Sequence, residues 1–75
     1  MLAFILLNAE MASQRDVLAK IRKLDEVQEA HLIFGTYDII VKAELPTNQA
    51  LSLFVVDKIK SIPGVGETLT NICTT

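Results

Sequence analysis

The side chains most able to do chemistry lie in one short stretch, Gly35-Thr36-Tyr37-Asp38. Runs of β-branched and aromatic residues flank Gly35 and Thr36, which predicts a β-hairpin with a two-residue type II′ turn and Gly35 at its first central position. Asp38 follows between Tyr37 and three β-branched residues. A carboxylate in such a setting either faces solvent at the start of a strand or is held for a ligand, and we favour the ligand.

Few other residues suggest chemistry. His31 is the only histidine and Cys73 the only cysteine, so the chain can form neither an internal disulfide nor a thiolate metal cluster. We find no spacing typical of a metal site, a phosphate-binding loop or a nucleophile–base pair, and we expect no metal and no cofactor. A lone cysteine suits a reducing compartment, and we expect a cytoplasmic protein.

Length and composition limit the possible classes. A chain of 75 residues forms one domain, here residues 1–75. Its net charge is −2 and it shows no basic patch, so we expect no direct binding to nucleic acid. The apolar start of the chain is far shorter than the roughly 20 residues that cross a bilayer, so we expect no membrane span. Hydrophobic residues make up 51% of the chain, a load that favours shared apolar surface between copies.

The hydrophobic periodicity predicts six elements. Strands are expected over residues 2–9, 27–34, 37–45 and 67–73, and helices over residues 14–24 and 49–61. Ser13 with Asp16 is expected to cap the first helix, and Thr47 or Asn48 the second. In the second strand, alternation places Val27 on the same face as His31. The first strand is apolar on both faces, which predicts cover on both sides.

The order β-α-β-β-α-β predicts an α+β, ferredoxin-like fold, with a four-stranded antiparallel sheet and two helices on one of its faces. The helices can cover only that face, yet apolar side chains point to both. We therefore expect the open face to pack against the same face of a second copy, as a sheet-to-sheet dimer.

Three short motifs in this order resemble the effector-binding (RAM) domain of the Lrp/AsnC family of regulators. They are Gly35-Thr36-Tyr37-Asp38-Ile39-Ile40-Val41, Ile62-Pro63-Gly64-Val65 and Thr68-Leu69-Thr70, and the resemblance extends from Leu2 to about Cys73. Family regulators carry a helix-turn-helix before this domain, whereas the first predicted strand here begins at Leu2. The chain thus resembles a stand-alone RAM protein without its own DNA-binding domain.

The resemblance implies a function and a site. It implies an amino-acid-binding regulatory module that acts through ligand-linked oligomerisation on transcription regulators, including full-length Lrp/AsnC proteins, or on metabolic partners. It implies dimers that assemble into rings, commonly octamers, with amino-acid effectors in the clefts between dimers. The implied ligand-binding residues are Gly35, Thr36, Tyr37, Asp38, Thr68 and Thr70.

Free amino acids are zwitterions, and these positions suit them. Asp38 can bind the ammonium, while backbone N–H groups near Gly35 and the hydroxyls of Thr68 or Thr70 can donate to the carboxylate. The pairings can equally be reversed.

An alternative from another class is a small dimeric α+β-barrel enzyme, an isomerase or oxygenase, that uses His31, Tyr37 and Asp38 in a cleft beneath the sheet. Strand alternation argues against it, because His31 shares its face with Ile33 and nothing in the sequence directs Asp38 to the same cavity. We therefore expect the protein not to be an enzyme.

Overall fold

The first strand of the chain forms the middle of a four-stranded antiparallel sheet in the computed structural model, which describes all 75 residues. The elements are β1 (Leu2–Ala9), α1 (Gln14–Arg22), β2 (Val27–Leu32), β3 (Ile39–Glu44), α2 (Asn48–Leu53, continued by a π-helical segment, Phe54–Ile59) and β4 (Val65–Ile72). The sheet order is β2-β3-β1-β4, so β1 pairs with β3 and β4 while β2 and β4 form the edges. This is the predicted ferredoxin-like arrangement.

Alternate residues of β1 and β3 are buried beneath the two helices, because successive side chains in a strand point to opposite faces. The core is entirely apolar. Its largest fully buried side chains are Ile5, Leu7, Ile21, Ile39, Ile59, Val17 and Val41. None of the helices has the length and apolar composition that crossing a bilayer requires.

The other face of the sheet has no cover within the chain. Leu2, Phe4 and Leu6 of β1 remain half-exposed there, and their neighbour Leu69 on β4 is exposed. The expected cover on both sides of β1 is therefore present on one side only in a single copy. The open face keeps the apolar surface that suggested a second copy.

Of the two predicted helix caps, one is confirmed and the other is wrong. Thr47 caps α2, since its Oγ1 accepts a hydrogen bond from the backbone N–H of Ala50 at 3.0 Å. Ser13 makes no side-chain capping bond at α1. It ends a 3-10 turn (Met11–Ser13) and lies against Gly64, where a Cβ atom would come within 2.8 Å of the Ser13 Cβ. Ser13 thus contacts a residue distant in the sequence and does not cap α1.

The second half of α2 widens into π-type geometry. The backbone N–H of Lys60 donates to the carbonyl of Val55, five residues earlier, at 2.8 Å. Regular helix was expected up to Ser61, but the helical segments end at Ile59. Single π turns of this kind are frequent at functional sites.

A register shift in the β2–β3 pair corrects one expected face. The irregularity falls between Val27 and Glu29, so Val27 pairs with the buried Ala43 while Glu29 pairs with Lys42. Val27 therefore packs against the core, away from His31, because a bulge reverses the alternation of the residues before it.

Candidate functional site

The loop between β2 and β3 is longer than its sequence suggests. The backbone N–H of Ile33 donates to the carbonyl of Asp38 at 2.8 Å, and residues 34–37 form the loop between them. The expected two-residue type II′ turn is wrong, because that turn needs a positive φ at Gly35 and only Gly64 has one. A Cβ atom built on Gly35 would meet nothing within 4 Å. Neither the backbone nor the packing of one copy requires glycine there.

Asp38 fastens this loop to the end of β1. Its backbone N–H donates to the carbonyl of Leu7 at 2.9 Å, and its Oδ2 accepts from the backbone N–H of Ala9 at 2.9 Å. Asn8 adds a second link, since its Nδ2 donates to the carbonyl of Thr36 at 3.0 Å and to Asp38 Oδ2 at 3.4 Å. Oδ1 of Asp38 accepts no hydrogen bond within the chain. One oxygen of the carboxylate thus holds the loop in place, and the other has no hydrogen-bond partner within the chain.

The rest of the loop projects from the body of the domain. Phe34, Gly35 and Thr36 are exposed, and Phe34 is fully so, whereas Tyr37 is half-buried. The loop therefore presents an aromatic ring and a bare backbone to whatever lies outside the chain.

Thr68 and Thr70 lie in a different place, a groove between α2 and β4. They pair with the buried Leu7 and Ile5, so their side chains lie on the helix-covered side of the sheet. The groove encloses about 420 Å³, within the usual range for small-molecule sites. Its nine lining residues are Asn48, Leu51, Ser52, Val55, Val56, Lys60, Thr68, Thr70 and Ile72. We call this feature the α2–β4 groove.

Sequence reasoning missed the helical side of this groove, although a signal was present. Asn48, Ser52, Val56 and Lys60 follow one another at intervals of four, which places them along one helix face. The predicted threonines lie on the strand opposite that stripe.

The six predicted ligand-binding residues therefore form two groups within one copy. Gly35, Thr36, Tyr37 and Asp38 belong to the loop before β3, and none of them lines the α2–β4 groove. Strands β3 and β4 lie on opposite sides of β1, which separates them by roughly 10 Å at a normal strand spacing. The loop and the groove lie apart in a single chain, and we refer to them as the two half-sites of the predicted ligand site.

His31 belongs to a third place, on the open face of the sheet. It makes a hydrogen bond of 3.1 Å with Glu29, and Lys42 Nζ lies 3.7 Å from the same carboxylate. The bond with His31, and then the charge of Lys42, hold the pKa of Glu29 below its usual value. These residues line a shallow pocket with Phe4 and Ile40, and neither Tyr37 nor Asp38 lines it. The three side chains of the enzyme alternative do not share a pocket.

Comparison with known proteins identifies the family to which this chain belongs. The family model of the Lrp/AsnC ligand binding domain matches residues 2–75. The chain belongs to the Lrp/AsnC family. The regulator FL11 of Pyrococcus abyssi is 38% identical over 72 residues, which are 96% of this chain and 47% of FL11. Curated relatives of this kind are named HTH-type transcriptional regulators. The chain spans about half the length of the curated relatives it matches.

Solved structures of Lrp/AsnC relatives have the same fold. The structure named FFRP-DM1 superposes with a TM-score of 0.92 at 37% identity, and the match covers 97% of each chain. The transcriptional regulator NMB0573 of Neisseria meningitidis, solved as a complex with L-Met, gives a TM-score of 0.90 at 26% identity. That match covers 99% of this chain and 49% of the regulator.

Proposed function

We propose that this domain binds a free amino acid and that binding changes how its copies assemble, which in turn modulates transcription regulators or metabolic partners. The observation that carries the proposal is the match of residues 2–75 to the Lrp/AsnC ligand binding domain. The complex of a relative with L-Met supports an amino acid as the ligand.

The two half-sites offer complementary chemistry for a zwitterion. Oδ1 of Asp38 is an open acceptor for an ammonium group, and the hydroxyls of Thr68 and Thr70 are donors for a carboxylate. Because the half-sites are separate in one copy, the proposed site joins the loop of one copy to the α2–β4 groove of another. Gly35 leaves space for that approach, since no residue other than its two chain neighbours comes within 4 Å of its Cβ position.

The open face of the sheet supports the assembly half of the proposal. Apolar side chains of β1 and β4 lie uncovered there, and a domain this small hides only about 60% of its unfolded surface by itself. We propose a sheet-to-sheet homodimer, and rings of dimers such as octamers in which loops and grooves of different dimers meet.

A thermal-shift screen against the twenty amino acids tests ligand binding. A ligand that binds only the native state stabilises it by about 2.7 kcal/mol at a hundred times its Kd. For a domain of this size, that amounts to a rise in Tm of roughly ten degrees or more. Light scattering with and without the same ligand then tests the change in assembly.

Asp38→Asn is the informative variant in this screen. Asparagine can still accept from the Ala9 N–H, so the fold is kept, but it has no charge for an ammonium. We expect the ligand-induced rise in Tm to shrink markedly in Asp38→Asn and to persist in Asp25→Asn, an exposed carboxylate outside both half-sites. A screen without any rise in Tm would contradict amino-acid binding.

A further inference from the structure

The α2–β4 groove contains one charge and no carboxylate. Lys60 is the only ionisable side chain that lines it, and the hydroxyls of Thr68 and Thr70 lie on its opposite wall. No ion pair of the chain includes Lys60. Its ammonium is therefore free to bind an anion that comes from outside the chain.

The π turn of α2 ends beside the groove. The backbone N–H of Lys60 closes that turn on the carbonyl of Val55, and Val55, Val56 and Lys60 all line the groove. Single π turns inside helices are frequent at functional sites. The turn thus brings one basic residue and two apolar residues to the same wall of the groove.

The apolar part of the groove suits an aliphatic chain. Leu51 and Val55 are buried, while Val56 and Ile72 remain exposed. Covering these last two side chains would remove apolar surface from water, which is favourable in proportion to the area.

The charge of the groove suits a monoanion. A single ammonium balances one negative charge, and no second basic side chain lines the groove to balance another. A phosphate group is better served by a helix N-terminus or by arginine, and the groove has neither.

We propose that the α2–β4 groove binds aliphatic carboxylates through their carboxylate group, with Lys60 as the charged partner, and therefore accepts 2-oxo acids as well as amino acids. The groove holds no acidic side chain for an α-ammonium, so one copy has no means of requiring an amino group there. The inference rests on the proposed function in that both use Thr68 and Thr70, and it extends the ligand class to the deaminated counterparts of amino acids. The domain would then respond to the products of transamination of its effectors.

Isothermal titration calorimetry on the full chain tests this with three probes of the same carbon skeleton. They are leucine, its 2-oxo acid 4-methyl-2-oxopentanoate, and 3-methylbutylamine, which lacks the carboxylate. We expect the 2-oxo acid to bind within about tenfold of leucine and the amine to give no binding heat. Lys60→Gln should weaken binding of the 2-oxo acid about tenfold or more, because a charge-assisted bond is lost.

Lys20→Gln is the matched control. Lys20 also lies in the last turn of a helix, α1, is exposed and belongs to no ion pair. This variant should bind the 2-oxo acid as the unchanged protein does, and the Tm of both variants checks that they fold.

The outcomes separate the two proposals. Binding of leucine without binding of the 2-oxo acid, or an undiminished affinity for the 2-oxo acid in Lys60→Gln, overturns this inference and leaves the proposed function standing. Binding of the 2-oxo acid without binding of any of the twenty amino acids overturns amino-acid sensing and supports only the carboxylate-binding part of this inference. If none of the probes and none of the amino acids binds, as would happen if a second copy filled the groove, both proposals are overturned.

Discussion

Single residues in the loop and the turns have opposite requirements. Gly64 adopts a φ of 97°, and a Cβ atom there would lie 2.8 Å from that of Ser13. Gly35 has no positive φ, and apart from its two chain neighbours no residue lies within 4 Å of its Cβ position. The fold of one copy therefore requires glycine at Gly64. It does not require glycine at Gly35, where the loop is able to contact another molecule.

Alanine at these two positions should give opposite results. We expect Gly64→Ala to lower the free energy of unfolding by about 1–3 kcal/mol, because the backbone is strained for any side chain and Ser13 blocks the Cβ. Gly35→Ala should leave it unchanged or raise it by about 0.4–1 kcal/mol, because alanine restricts the unfolded chain. Urea unfolding of the two variants measures both effects. Comparable destabilisation by both would contradict the loop conformation described above.

The elements of the fold could be predicted well from the sequence, and the loop could not. The bounds of β1 are those expected, and α1 ends only two residues early, because hydrophobic periodicity is a local property. The loop before β3 depends on bonds from Asn8 and Ala9, some thirty residues away in the chain. No local pattern encodes them, so Gly35 was assigned a turn that it does not make.

For the same reason, the strand side of the α2–β4 groove was predicted from the sequence, whereas its helical side was not. The resemblance to the Lrp/AsnC family implied Thr68 and Thr70 as ligand-binding residues, and strand alternation placed them correctly on one face with Ile72. The groove they line also needs α2, whose stripe of every fourth residue carries Lys60. The spacing of that stripe is visible in the sequence, but a π turn has no sequence signature comparable to a cap, so the π turn that ends at Lys60 could not be predicted.

An ion pair joins the start of β2 to the helical layer and makes stability depend on pH. Lys58 Nζ donates to Glu26 Oε2 at 2.6 Å, and this bond is the main cause that lowers the pKa of Glu26 from 4.5. A carboxyl whose pKa is lowered by folding stabilises the fold above its unfolded pKa. That contribution is lost as the pH falls through the lowered folded value.

Removing Lys58 should therefore lower the free energy of unfolding at neutral pH more than at acidic pH. We expect Lys58→Gln to lower the free energy of unfolding by up to about 1 kcal/mol at pH 7, since the pair is partly exposed. The difference from the unchanged protein should shrink at acidic pH, as the pH falls through the lowered folded pKa of Glu26 and its carboxyl becomes protonated. Urea unfolding at the two pH values measures this, with Lys20→Gln as a variant whose effect should not change with pH. An equal loss at both pH values would show that the bond to Glu26 is not its source.

At the scale of the whole molecule, the two faces of the sheet are unequal. One face lies beneath both helices and forms an entirely apolar core. The other exposes Leu69 at 45% and leaves Phe4 and Leu6 half-exposed, with Glu29, His31 and Lys42 at the β2 side. A surface with an apolar centre and a charged border is typical of an interface between copies.

Two leucines with similar exposure test which surface joins the copies. Leu69→Lys places a charge on the open face, and we expect it to convert dimers into monomers, because burying an unpaired ammonium is costly. Leu53→Lys makes the same change on α2, where the leucine is 55% exposed, and should leave the dimer intact. Light scattering coupled to size-exclusion chromatography measures the mass of each. A monomeric unchanged protein, or a dimer that survives Leu69→Lys, would contradict sheet-to-sheet pairing.

The hydrogen bond from Ala9 to Asp38 also offers a way to follow ligand binding by NMR. The amide of Ala9 points at Oδ2 of that carboxylate, and the β1–β4 register shifts between Leu7 and Ala9. Any molecule captured by the free oxygen of Asp38 must polarise the same carboxylate. The chemical shift of the Ala9 backbone amide proton will therefore change when a ligand binds to Asp38. Ala9 lies in a strand and not in the loop, so no label is needed in the loop itself.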